Sequence, residues 1–213
     1  MARATDAQAL PPWAGEAGGA EWTAALIAHR QTLLPKRLFD PGPDPSQLEL
    51  IVRAAAAAPD HGELLPWRFV FIPRGARARL AEVFAASLLE RDSGATANQV
   101  AQAREKAFRG PVLMLAVVDA GASDSEVPPA ERILSAGCAI QNMLLMATAL
   151  GFGSSLTSGK ALQSRGLREL FSLRATEQAV CFVSIGTADR LKAQRQRPEP
   201  SRYTSILPDN DPA

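Results

Sequence analysis

Cysteine is scarce in this chain. There are two, Cys138 and Cys181, in 213 residues. Neither belongs to a C-x-x-C pair of the kind that builds a metal site. Both sit in apolar surroundings and read as reduced packing residues, which points to the cytoplasm. Histidine is as rare. His29 and His61 stand far from metal-ligand spacing, so no metal is expected. Charge of one sign is lacking too: 23 basic residues oppose 22 acidic ones, for a net charge of +1. That balance gives no electrostatic reason to expect nucleic acid or an anionic membrane as a partner. No apolar run approaches the ~18 residues of a spanning helix. The first residues, MARATDAQALPPWAGEAGGA, lack the apolar stretch of a secretory signal. Residues 1–20 read as a flexible extension, in which Trp13 is a candidate for docking on a partner.

Familiar nucleotide and hydrolase motifs are also missing. There is no G-x-x-x-x-G-K-[ST], no complete G-x-G-x-x-G and no G-x-S-x-G. The nearest fragment, Gly151-Phe152-Gly153, follows a helix pattern, whereas a dinucleotide fingerprint follows a strand.

Apolar periodicity supplies the elements. Trp22, Leu26 and Ile27 predict one buried face on a helix from Glu21 to about Thr32, ended by Pro35. The proline-rich stretch that follows reads as an extended loop. Ser46, with Glu49 three residues on, reads as the capping box of a helix reaching about Ala57. Strands are expected over 67–72, 112–118, 154–157 and 179–185. Helices are expected over 76–91, 95–107, 129–150 and 164–172, with a polar loop over 123–129. The run 112–118 is apolar without alternation, as a strand covered on both faces should be. The helix from Pro129 is apolar almost all round from Ala136, which places it at the protein's centre or in a subunit interface. The order of elements argues for a single domain of α+β or α/β class around a mixed sheet.

Three segments stand out chemically. His29-Arg30-Gln31-Thr32, with Lys36 and Arg37 beyond, gathers cations that suit a phosphate. Its plain structural reading is a solvated helix end. Ala57-Ala58-Pro59-Asp60-His61-Gly62, before Pro66-Trp67, puts a sharp turn between a helix and a strand, where binding groups concentrate. Its plain reading is a surface turn. Gly151 to Gly159 is rich in small residues, which let a flat ligand approach backbone. Its plain reading is a helix cap and loop.

Taken together, these segments resemble the FMN-dependent nitroreductase family, in its compact YdjA-like branch. The resemblance rests on LIAHRQT (26–32), RAAAAAPDHGELLPWRFVFI (53–72), SAGCAIQNMLLMATALGFGSSLTSG (135–159) and FVSIGTADRLKA (182–193). It implies an α+β fold over 21–193, with a mixed central sheet flanked by helices and the long helix at a homodimer interface. It implies FMN in clefts between subunits, NAD(P)H as electron donor and a small-molecule acceptor such as a nitroaromatic or quinone.

The family's phosphate segment falls on His29, Arg30 and Gln31. Arg30 keeps the pattern, and Thr32 offers the hydroxyl missing at Gln31. Flavin contacts fall on Ala57 and His61, with Ala57 where the branch can carry arginine. Further contacts fall on Leu156, Thr157 and Ser158, of which Ser158 keeps the pattern. Arg195 and Arg197, in the tail 194–213, are further phosphate candidates, and that tail is a candidate for contacting the partner subunit. No residue is assigned the hydride chemistry, which belongs to the cofactor; His61 is a candidate proton donor. Same-fold chemistries (flavin fragmentation, dehalogenation, ring dehydrogenation) and a non-catalytic flavin-binding role stay open, because pocket side chains decide among them.

Overall fold

The structure is a computed structural model and describes residues 17–121, 126–191, 193 and 195–208. Trp13 and residues 123–125 of the polar loop lie outside them. Six α-helices are described: α1 (Ala17–His29), α2 (Pro45–Ala55), α3 (Arg77–Arg91), α4 (Ala97–Glu105), α5 (Pro129–Ala149) and α6 (Arg165–Leu170). The five strands are β1 (Leu38–Phe39), β2 (Trp67–Phe71), β3 (Val112–Asp119), β4 (Gly153–Thr157) and β5 (Glu177–Ala188).

β5 organises the sheet. It pairs with β3 along most of its length, with β4 over Phe182–Gly186, and with β1 at Thr187 and Ala188. β2 completes the sheet on the far side of β3. Every pairing between these strands is antiparallel; the parallel component of the mixed sheet is a single bridge from Thr32 to Ser154. Alternation along the strands splits the core in two. Met114, Ala116, Val118, Val183 and Ile185 pack with α2 and α5. Leu113, Leu115, Val117 and Phe182 face the other way, toward Leu80 of α3 and Leu167 of α6. The unalternating apolar run 112–118 is therefore a central strand covered on both faces, as its composition required. No helix among the described residues is long and apolar enough to cross a membrane.

Three local expectations are corrected. The α2 cap is Asp44, two residues upstream of Ser46: its carboxylate accepts from Gln47 N at 2.9 Å, and the Gln47 side chain accepts from Asp44 N at 3.0 Å. Pro45 at the first helical position favours this start because it needs no amide donor there. Glu49 instead pairs with Arg53 one turn on, at 2.6 Å. The first helix stops at His29, and its apolar residues do not make a buried face: Trp22 is 80% exposed and Ile27 50%. The proline-rich loop holds a 3₁₀ turn over Pro35–Arg37 and then β1. A two-residue strand is too short to leave an alternating signature.

One polar cluster ties the sheet's end to α6. Glu177, 2% exposed, accepts from Arg68 Nε at 2.8 Å, Arg68 Nη2 at 3.1 Å, Arg174 N at 2.8 Å and Arg174 Nη2 at 3.2 Å. Arg168 of α6 donates to the Glu177 carbonyl at 3.0 Å. The Arg68 bond above all, with those from Arg174, holds the Glu177 carboxyl down at about 2. A depressed carboxyl stabilises the fold fully above its unfolded value, near 4.5, and loses that contribution as pH falls through about 2. Glu177→Gln should therefore cost about 1–3 kcal/mol at pH 7 by urea denaturation. The gap from the unaltered protein should narrow below pH 4.5 and close toward pH 2.

Candidate functional site

The site begins where α1 ends. Leu33 N donates to Ser154 O at 3.0 Å, and Thr32 bridges Ser154, so the segment after Arg30 lies along β4. Two glycines permit this approach. Gly153 and Gly186 face each other across β4 and β5. A Cβ on Gly153 would stand 2.6 Å from Leu33 Cδ1 and 2.9 Å from Leu38 Cδ2. One on Gly186 would stand 2.5 Å from Pro111 Cδ and 3.1 Å from Phe39 O. Leu33 and Leu38, both buried, fill this notch and anchor the loop that follows α1.

Beside the anchored loop opens a cleft of about 620 Å³. Leu34 and Pro35 form one wall, Thr157 to Leu162 another, and α3 and α4 the third. Its apolar lining includes Phe84, Leu113 and Phe182, and Phe84 meets Phe182 edge to face at 5.5 Å between ring centres. Arg91, Lys106, Arg109 and Lys160 also line it, with no carboxylate side chain among the lining residues. Two buried polar atoms on lining residues lack a partner: Arg109 Nε and Ser184 Oγ. A smaller cavity of about 320 Å³ lies by α5, lined by Gly137, Ile140, Gln141, Leu144, Leu156, Ser158, Val180 and Cys181. Burial pushes the Cys181 thiol up to about 11, so at neutral pH it is a packing group without thiolate character. Neither cysteine is in a disulfide.

The structure joins two of the three segments singled out in the sequence. Thr157 and Ser158 line the large cleft, and Leu156, next in the strand, turns to the smaller cavity. His29, Arg30 and Gln31 lead directly into the wall at Leu34 but line neither cavity themselves. His29 Nδ1 donates to Ala25 O at 2.8 Å, and Arg30 Nη1 reaches Thr32 Oγ1 at 3.5 Å. Lys36 and Arg37 are exposed on the 3₁₀ turn, and Arg195 and Arg197 are exposed in the tail; none of the four lines either cavity.

The third segment, with Ala57 and His61, lines neither cavity of its own chain. His61 Nδ1 meets Glu131 Oε2 of α5 at 2.7 Å, and that hydrogen bond raises the imidazole's pKa above its usual value. Arg91, Lys106, Arg109 and Ser184 were not singled out in the sequence. A hydroxyl inside the apolar strand AVCFVSI, and paired cations in Lys106-Ala107-Phe108-Arg109 just before a buried strand, were the available signals.

Comparison with known proteins places this architecture. The nitroreductase family model matches residues 36–187. This chain belongs to the nitroreductase family. YdjA of Escherichia coli K12, a candidate NAD(P)H nitroreductase by its name, is 34% identical over 184 residues, covering 85% of this chain and 97% of YdjA. A nitroreductase-like family protein from Bacillus cereus superposes with a TM-score of 0.75 at 18% identity, covering 86% of this chain and 95% of that one. Iodotyrosine deiodinase, crystallised with FMN and 3-iodo-L-tyrosine, superposes with a TM-score of 0.63 at 19% identity, covering 88% and 98%. The chain thus has the α+β nitroreductase fold and is an oxidoreductase by family. In this family member the notch governs how the α1 loop meets the sheet. Gly186→Ala should destabilise the protein by about 1–3 kcal/mol, because the added Cβ would clash with the Pro111 ring and crowd the Phe39 carbonyl, so the backbone there must shift. Urea denaturation of the two proteins side by side measures the difference.

Proposed function

We propose that this chain is an FMN-dependent NAD(P)H oxidoreductase, acting as a cytoplasmic homodimer on nitroaromatic, quinone or similar acceptors. The observation that carries the reading is the large cleft: four cations, no lining carboxylate, an apolar lining and two buried polar atoms without partners. A flat ring bearing a phosphate tail answers each feature. Phe84, Leu113 and Phe182 offer the ring an apolar surface. Lys106 and Lys160, exposed at the mouth, and Arg30 from the adjoining segment suit the phosphate. Thr157 and Ser158 add backbone and hydroxyl groups beside the ring. When bound, FMN would supply the redox chemistry, hydride transfer from NAD(P)H to the acceptor. The chain's own task is to bind, orient and shield from water.

The homodimer reading rests on two features. The outer face of α5 exposes Ile133 and Leu134, the latter at 68%, which is unusual for a long central helix. Ala57 and His61 line neither the large cleft nor the smaller cavity of their own chain, so their proposed contact with the cofactor requires the cleft of a partner subunit. The tail 194–213, with Tyr203, Ile206 and Leu207 exposed, is assigned to the same interface, outside the domain 21–193. The likeness to iodotyrosine deiodinase favours a second reading, a same-fold chemistry such as dehalogenation. Steady NAD(P)H consumption with quinones supports the first reading; its absence in a flavin-loaded protein supports the second.

The purified protein should show oxidised-flavin absorption that NADPH bleaches without oxygen. A colourless protein that takes up no added FMN would refute the cofactor assignment. Arg30→Ala should weaken FMN binding about tenfold, the scale of one charge-assisted hydrogen bond, as read by fluorescence titration. In flavin-loaded His61→Ala the reductase rate should fall by about 10²-fold if His61 gives the substrate its proton. An unaltered rate removes His61 from that role.

A further inference from the structure

Two helices wall the large cleft with the same spacing. Phe84, Ser87, Leu88 and Arg91 of α3 line it, and so do Gln99, Gln102 and Ala103 of α4, with Lys106 just beyond. Positions three, four and seven apart share one face of a helix, so each helix turns a single face to the cleft. The helices are joined by residues 92–96 and tied side by side by Glu82, which accepts from Arg104 Nε and Nη2 at 2.9 Å each. They run antiparallel. Arg91 and Gln99 therefore stand together at the end near the joining loop, and Lys106 stands at the other end.

The α3 face changes character along its length. Phe84 meets Phe182 of the sheet. Ser87 is 7% exposed, and its hydroxyl makes no hydrogen bond with another described residue. Arg91 is exposed, about 10 Å along the helix from Phe84 at ~1.5 Å per residue. Gln99 Oε1 accepts from Thr96 N at 2.8 Å, which leaves the Gln99 NH2 group without a described partner. No carboxylate side chain lines this wall. Glu90 and Asp92, which flank Arg91 in sequence, lie outside the lining, Glu82 is taken by Arg104, and Glu105 pairs with Arg109 at 3.4 Å.

Resting on the flavin-reductase reading above, we infer that Arg91, with the Ser87 hydroxyl and the Gln99 amide, receives the 2′-phosphate of NADPH, so that the protein prefers NADPH to NADH. The two donors differ only in that phosphate on the adenosine ribose. Sites that favour NADH place an acid against the ribose 2′-hydroxyl, and sites that favour NADPH place an arginine there. This cleft lines itself with no acid and holds an unpaired arginine. Lys106 and Lys160 answer the flavin phosphate, which leaves Arg91 for a second one. Its planar fork matches phosphate oxygens, and its exposed position spares the phosphate the cost of full burial. The distance along α3 from Phe84 leaves the apolar end of the face to the rings and the cationic end to the adenosine arm.

The test uses the flavin-loaded protein and reads binding apart from turnover. Adenosine 2′,5′-bisphosphate should bind at least about tenfold more tightly than 5′-AMP by calorimetry, and kcat/KM for NADPH should exceed that for NADH by a similar factor. Arg91→Gln should remove most of both preferences, and Arg91→Glu should reverse the kinetic one. Arg91→Lys, which keeps the charge and loses the fork, should retain part of each. Ser87→Ala should lower both by a few fold. Equal binding of the two adenosine ligands to the unaltered protein would overturn the inference while leaving the flavin reading in place. So would unaltered preferences in folded Arg91→Gln and Arg91→Glu. Weaker FMN retention in Arg91→Gln with both preferences intact would assign Arg91 to the flavin phosphate and overturn it too. A flavin-loaded protein that neither NADPH nor NADH reduces would instead bring down the reductase reading, and this inference with it.

Discussion

Close approach at two facing glycines is the constraint on which the site depends. Side chains at Gly153 and Gly186 would occupy the space now taken by Leu33, Leu38 and Pro111. With the notch open, the chain leaving α1 lies down on β4 and becomes one wall of the large cleft. The cleft is thus made by a piece of chain far from α3 and α4 in sequence, held by packing and by backbone pairing with Ser154.

Electrostatics then give the cleft its character. Elsewhere in the chain, many cations are paired: Arg68 and Arg174 with Glu177, Arg74 with Asp40, Arg104 with Glu82. Around the cleft, only Arg109 among the four lining cations has a recorded carboxylate contact, and that one is long. A nearly neutral chain can therefore present a local positive region, because folding pairs off charges in one place and collects them in another. The apolar lining beside these cations suits a ligand that is flat and anionic at once.

Family membership and the cleft support each other at different levels. The match over 36–187 and the YdjA likeness place the chain in its family. The cleft collects Lys106, Arg109 and Ser184, groups that the short motifs do not contain, while Arg30 stands beside it on the segment that leads into its wall. Leu156, beside Thr157 in β4, lines the smaller cavity by α5.

Much of the fold was legible from the sequence because its signals are local. A continuous apolar run of strand length, a long helix with small residues, and glycines after that helix each leave a pattern within a few residues, and β3, α5 and β4 appeared where those patterns lie. Motif order singled out the 156–158 segment, which lines the two cavities, and Arg30, which lines neither. The α2 cap was misplaced by two residues because Asp44 and Ser46 both cap well and only the bonded geometry separates them. Which face of a helix is covered, that 57–61 stands apart from the cleft, and that Arg109 and Ser184 line the same cleft were decided by tertiary structure alone. Such contacts join residues from separate elements, and strand pairing and packing bring them together in ways that no local pattern records.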